Sequence, residues 1–180
     1  MTDFIVLLRG INVGGHKKVP MAELRALAGE LGFGDVRTYI QSGNLLFSSD
    51  FSSEVVEADL EAALQRRFGF PVDAVVRTVE QWRVYAAGSA FPEAAAERPH
   101  LVMLGLSRRP PLPDAEGRLQ AAAAAGERVV CRGDALWFDF AGGSARSKLT
   151  PALLERAAGS PVTTRNWRTV LKLAELAQGG

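Results

Sequence analysis

The chain opens on an unbroken apolar run, Phe4 to Leu8, of strand length and without polar alternation, which is the pattern of a strand buried on both faces. A glycine-rich stretch from Gly10 to Val19 follows. Pro20 suits a helix first turn, Met21, Leu24, Leu27, Ala28 and Leu31 recur at helical spacing, and Gly32 ends that helix. Val36 to Ile40 reads as a second strand, Ser42-Gly43-Asn44 as a tight turn, and Leu45 to Phe47 as the returning strand. Ser52-Ser53-Glu54 opens a second helix with Val55, Val56, Leu60 and Leu64 on one face; Gly69 stops it, and Val72 to Val76 is a fourth strand. Thr78 with Gln81 fits a capping box and starts an added helix through Tyr85.

The same order then returns. Leu101 to Leu106 is an apolar strand, Ala115 to Ala125 an alanine-rich helix, and Arg128 to Cys131 and Leu136 to Phe140 a strand pair joined through Gly133-Asp134. A helix from Leu149 to Ala158, a strand at Val162 to Thr164 and a closing helix from Asn166 to Ala177 complete it. The echo is also local: Gly69-Phe70-Pro71-Val72 leads to Arg77 before a helix, and Gly159-Ser160-Pro161-Val162 leads to Arg165 before a helix. The predicted fold class is α+β: two ferredoxin-like (βαββαβ) halves, each with an added C-terminal helix, packed together. The halves are residues 1–88 and 89–180, divided in the Ala-, Gly- and Pro-rich stretch from Gly88 to Pro99. In each half the first and third strands are expected as a central parallel pair. A half this small buries little surface alone, so the two are expected to share an apolar interface.

Composition narrows the function classes. The chain has 180 residues, 47% hydrophobic and 23% charged, an ordinary globular balance. Its net charge of +1 supplies no global field toward nucleic acid or an anionic membrane, so any anion recognition must be local. No stretch has the length and apolarity of a membrane span, and the start lacks the order of a secretory leader; no membrane and a cytoplasmic location are expected. Cys131 is the only cysteine and reads as an inert strand thiol. His16 and His100 lie far from it and from each other in sequence, so no metal and no cofactor are expected. Carboxylates such as Glu61 read as solvated helix charge, and Trp137, Phe138 and Phe140 as core rather than a base-stacking platform.

Two loops carry candidate chemistry. Arg9 to Lys18, with Gly14, Gly15, His16 and Lys17, leaves a buried strand and enters a helix. Glycines let backbone N–H groups converge, and a helix N-terminus adds partial positive charge, which suits a phosphate or carboxylate. Gly142 to Lys148 is likewise glycine-rich, basic and followed by a helix, with Ser147 or Lys148 expected at the helix start. Neither loop is a Walker or dinucleotide fingerprint. A solvated glycine-rich connection explains either loop; two such loops make an anion site more credible than one alone. Arg77 reads as structural, whereas Arg165 is open between an oxyanion clamp and a structural role.

Leu7-Leu8-Arg9-Gly10-Ile11-Asn12-Val13-Gly14-Gly15 resembles the N-terminal signature of an uncharacterised bacterial family, the domain of unknown function 1697. Tyr39-Ile40-Gln41-Ser42-Gly43-Asn44 and Thr164 to Leu173 resemble its second and third signatures, with one departure at Arg168, where the family usually has asparagine. The resemblance implies paired ferredoxin-like halves and brings no reaction, substrate or cofactor. It places Arg9, Asn12, Gly14, Gly15, Ser42, Gly43, Asn44, Arg165 and Asn166 in signature segments.

The expected function is a small binding module for a phosphate-bearing ligand, a nucleotide or nucleic-acid backbone, held in a groove between the halves. Its expected ligand-binding residues are Arg9, Asn12, Gly14, Gly15, Lys17, Ser42, Asn44, Lys148, Arg165 and Asn166, with Lys18 adding charge. The alternatives are an enzyme acting on an anion through Lys148 or Arg165, and a protein-interaction or oligomerisation module.

Overall fold

In the computed structural model, which describes residues 1–179, the chain runs β1 (Thr2–Leu8), α1 (Met21–Glu30), β2 (Gly34–Tyr39), β3 (Asn44–Ser49), α2 (Ser53–Phe68), β4 (Ala74–Thr78) and α3 (Val79–Ala86). A short helix α4 (Pro92–Glu97) precedes β5 (Val102–Ser107), α5 (Ala115–Ala122), β6 (Arg128–Arg132), β7 (Ala135–Asp139), α6 (Pro151–Ala158), β8 (Val162–Asn166) and α7 (Trp167–Gln178). The sheets have the orders β2-β3-β1-β4 and β6-β7-β5-β8, one topology used twice, and the fold is α+β with two similar halves.

The central pairs, β1 with β3 and β5 with β7, are antiparallel, not parallel as the sequence suggested. The cause is the hairpin. The α1 crossover returns the chain so that β2 runs along β1, the β2–β3 turn reverses it, and β3 then inserts between the two. By compactness the chain divides into Met1–Arg83 with the stretch from Leu173 onward, and Val84–Lys172. The divisions fall inside α3 and α7.

In the first unit, α1 and α2 cover one face of the sheet: Phe4, Val6, Leu8, Leu45 and Phe47 meet Leu24, Leu27, Leu60 and Leu64. Phe33 stacks on Phe47 with ring centroids 4.3 Å apart. Ile5, Leu7, Leu46 and Val75 on the other face are also buried, as the unbroken apolar run of β1 predicts. Val55, expected on the core face of α2, is exposed; Ala63 takes the inward position. Ser52 caps α2 from its hydroxyl, and Gly69 closes it in the left-handed conformation.

In the second unit, Leu136 and Phe138 pack with Leu119, Leu154 and Ala157. A Cβ at Gly105 would lie 2.8 Å from Phe138 Cε2, so the glycine in β5 makes room for the ring. Trp137, Phe138 and Phe140 are all buried, in line with a core role. Asp139 is fully buried and accepts from Arg98 Nη2 at 2.9 Å and Arg128 Nη2 at 2.7 Å. Burial alone would push its carboxyl up, but the two guanidinium groups outweigh that and hold it below the usual carboxylate range.

The boundary stretch 88–99 contains α4. Two local expectations are corrected. The helix expected to run to Ala125 stops at Ala122, because Gln120 bonds the Glu127 carbonyl and the Val129 N–H and pins the chain to β6. The sixth helix starts on Thr150, whose hydroxyl accepts from Leu153 N at 3.3 Å, and not on Ser147 or Lys148. Pro151 in the first turn fixes that start.

Candidate functional site

The β1–α1 loop and the β2–β3 turn meet at one end of the first unit. Leu8 N donates to Gly43 O at 2.8 Å. Asn12 Nδ2 donates to Val19 O at 3.0 Å and to Gln41 O at 2.7 Å, while its Oδ1 accepts from Val19 N at 2.8 Å. A single amide therefore closes the loop at its base and ties it to the neighbouring turn. Further bonds fix the loop's outer edge: Arg9 Nη1 pairs with Asp73 Oδ2 at 3.2 Å, and Lys17 Nζ donates to Pro71 O at 2.9 Å. At the tip, His16 N donates to Val13 O at 3.0 Å. Gly14 and Gly15 occupy the two positions between, with φ of 58° and 77°, the left-handed pair that a tight reversal requires.

The second loop is as constrained. Asn44 is buried, and its amide donates to Tyr39 O at 2.9 Å and Ser42 Oγ at 3.2 Å. Gly43 has φ 82°, and a Cβ there would lie 2.5 Å from Ile11 Cδ1 and 3.0 Å from Leu8 Cβ. Only glycine lets the two loops approach this closely.

Backbone strain is concentrated at this junction. Asn12, Lys17 and Ile40 adopt φ of 55°, 48° and 52°. A β-branched residue in that region is a true outlier and costs roughly 1–2 kcal/mol. Ile40 is also 48% exposed, so burial does not repay the strain. Strain that persists because its surroundings fix it is characteristic of binding sites and switches.

Beside the junction, Asn12, Gly15, Lys18, Pro20, Met21, Ala22 and Gln41 line an open depression of ≈ 640 Å³. Lys18 is exposed, and its ammonium makes no hydrogen bond or ion pair among the described residues. The lining combines an apolar floor, one cation and carboxamide groups, with no carboxylate. Such a surface can hold an anion attached to an apolar or aromatic body. Among the described residues no group of three or more His, Cys, Asp or Glu could hold a metal.

Of the residues proposed from sequence, Arg9, Asn12, Gly14, Gly15, Lys17, Ser42 and Asn44 thus come together in the first unit. Lys148, Arg165 and Asn166 belong to the second. Lys148 is exposed in the segment after a 3-10 turn at Ser144–Arg146. That segment follows β7, which runs against β5, so it leaves the sheet at the N-terminal end of β5. It is therefore not the structural counterpart of the Arg9–Lys18 loop, which leaves the C-terminal end of β1. Gly142 has a packing reason: a Cβ there would lie 2.8 Å from Ala125 O. Ser147 helps hold the Glu127 carboxyl below its ordinary range, with the Ala125 N–H as a second donor.

Arg165 is the cross-strand partner of Leu104, as Arg77 is of Ile5, so the arginine repeat read from the sequence is one position of the fold used twice. Arg165 Nη1 donates to Thr163 Oγ1 and Thr164 O, both at 2.8 Å, and desolvation by burial pushes its guanidinium down to about 10. It remains charged at neutral pH. Asn166 Oδ1 accepts from Thr169 N at 3.0 Å and caps α7. Cys131 is half-buried; burial, with the charges of Glu116 and Asp134, raises its thiol and disfavours the nucleophilic thiolate. What the sequence did not single out is a group of arginines at the C-terminal end of β5, Arg108 and Arg109 with Arg156, because the β5–α5 loop and α6 that carry them lie far apart in the chain.

The model of a family described as "Protein of unknown function (DUF1697)" matches residues 1–137, which hold both loops of the junction. The chain belongs to this family. The third signature segment, Thr164 to Leu173, lies beyond the matched residues. The DUF1697 chain is also similar in fold to a solved structure, a conserved bacterial protein, SP0830, from Streptococcus pneumoniae. The identity is 24%, the TM-score 0.68, and 98% of each chain is covered. No functionally curated protein matches. No helix of the described residues is long and apolar enough to cross a membrane.

Proposed function

We propose that the protein is a small cytoplasmic module that binds a phosphate-bearing ligand, a nucleotide or a nucleic-acid backbone, at the loop junction of the first unit. The observation that carries this reading is the strain shared by two touching loops next to an uncompensated cation. Lys18 supplies charge to the phosphate, and the glycine turn exposes backbone N–H groups beside it. Pro20, Met21 and Ala22 offer an apolar floor to a base. Arg9 and Lys17, whose side chains bond Asp73 and Pro71, shape the loop and add longer-range charge.

A thermal-shift series with mononucleotides and short oligonucleotides at two salt concentrations tests the reading. The expected result is stabilisation that shrinks at higher salt and is reduced in Lys18→Gln. Absence of any salt-sensitive shift sinks it. A second reading, a protein-interaction surface, is favoured by the exposed Val13 and Ile40. Sedimentation that shows an assembly dissolved by Val13→Ser with Ile40→Ser supports that one instead.

A further inference from the structure

The two units carry a depression at the same place in their shared topology, against the second helix of each set and the segment leading into its last strand. In the first unit it is lined by Ala58, Glu61, Ala62, Gln65, Pro71, Val72 and Asp73. Its charge is acidic and already used: Glu61 Oε1 accepts from Ala74 N at 2.8 Å, and Asp73 pairs with Arg9 at 3.2 Å. In the second unit the depression measures ≈ 560 Å³, and Arg108, Arg109 and Arg156 line it with Glu155 and Ser160. That is the size of a small-molecule site.

Strand register shows how the reversal of charge arises. Ile5 faces Arg77, and Leu104 faces Arg165, which aligns Arg9-Gly10 with Arg108-Arg109 and Asp73 with Pro161. The second unit thus replaces the carboxylate by proline and the adjacent glycine by a second arginine. Three guanidinium groups then stand against one carboxylate, Glu155. The side chains of Arg109 and Arg156 are exposed and make no ion pair or hydrogen bond among the described residues.

The walls are fixed. Leu112 N donates to Ala158 O at 3.2 Å and Arg109 N to Ser160 Oγ at 3.4 Å, so the β5–α5 loop is tied to α6 and to the segment after it. Gly159 has φ 82°, and a Cβ on it would lie 3.0 Å from Leu112 Cγ. Planar guanidinium forks carried on a fixed backbone wall match the oxygens of a phosphate bidentately. Glu155 beside them offers an acceptor to a hydroxyl.

We infer that the arginine-lined depression of the second unit is a binding site for a phosphate monoester with a hydroxylated body, separate from the loop junction of the first unit. Arg109 and Arg156 hold the phosphate, and Glu155 accepts from a hydroxyl of the ester. Free phosphate shares the first contact and lacks the second.

The test uses the full chain, with phosphorus-31 line broadening of ribose 5-phosphate and of inorganic phosphate as the readout. Wild type is expected to bind both, ribose 5-phosphate more tightly. R109Q/R156Q, which alters only exposed side chains, is expected to bind either about tenfold or more weakly. R118Q/R132Q, which removes the same charge elsewhere on the second unit, is expected to bind as wild type does. Glu155→Gln is expected to reduce the preference for ribose 5-phosphate. No broadening in wild type, or equal binding in wild type and R109Q/R156Q, overturns the inference. Loss in Lys18→Gln with retention in R109Q/R156Q assigns the anion to the first unit and overturns it too.

Discussion

Single residues carry the junction. Gly43 combines a left-handed backbone with a Cβ position 2.5 Å from Ile11, so Gly43→Ala adds strain to a clash. A loss of about 2–4 kcal/mol is expected in urea unfolding. Ile40 is the converse case: at φ 52° and half exposed, it is costly where it stands. Ile40→Gly removes roughly 1–2 kcal/mol of strain and adds part of that back as unfolded-chain entropy. The variant is expected to be neutral to about 1 kcal/mol more stable, and to bind the ligand of the first unit less well if that geometry is kept for binding. Greater stability together with unchanged binding would separate the strain from function. Asp139 sets an acid limit. Its carboxyl titrates lower in the folded state than in the unfolded chain, so its stabilising contribution is complete above about pH 4 and fades as pH falls through the lower folded value. The urea midpoint is expected to fall over that range, and to fall less steeply in Asp139→Asn.

Among the elements, caps are the most legible feature of the sequence. Thr78 N donates to Gln81 Oε1 at 2.8 Å and Gln81 N to Thr78 Oγ1 at 3.2 Å, the reciprocal pair that their spacing predicts. Thr78→Ala is expected to cost about 1 kcal/mol by thermal unfolding. Gly69 was readable as a stop because a left-handed cap favours a residue without Cβ, and the structure closes α6 on Gly159 in the same way. Strand direction was not readable, since alternation reports which face is buried and carries nothing about polarity. Nor was the outward turn of Val55, because an apolar side chain at the margin of a helix stripe looks like its neighbours. The loop residues of the candidate site stood out through glycine and charge, but the bonds of Asn12 to Val19 and Gln41 depend on backbone groups that any residue supplies. The arginine group at the C-terminal end of β5 was hidden because Arg109 and Arg156 come together only through the fold.

At the scale of the molecule, duplication gives two frames with different fates. The same depression is acidic and internally satisfied in one unit and basic with two uncompensated cations in the other. The frames are also unequal in how they close. Arg37 Nη1, in β2, donates to Leu176 O at 2.7 Å, near the end of α7. A fragment of residues 1–88, the boundary read from sequence, lacks that piece. Its amide spectrum is expected to sharpen toward a folded pattern when a peptide of residues 167–180 is added. A fragment fully folded alone and indifferent to the peptide would show that the C-terminal turn is dispensable to the first unit.

That arrangement bears on biosynthesis. Because the stretch from Leu173 onward belongs with the amino-terminal sheet, a ribosome releases everything the later-made unit needs before it releases the last piece of the earlier one. The half that is translated first is therefore the half that is finished last, and Arg37 waits for its partner until the later-made unit has been synthesised.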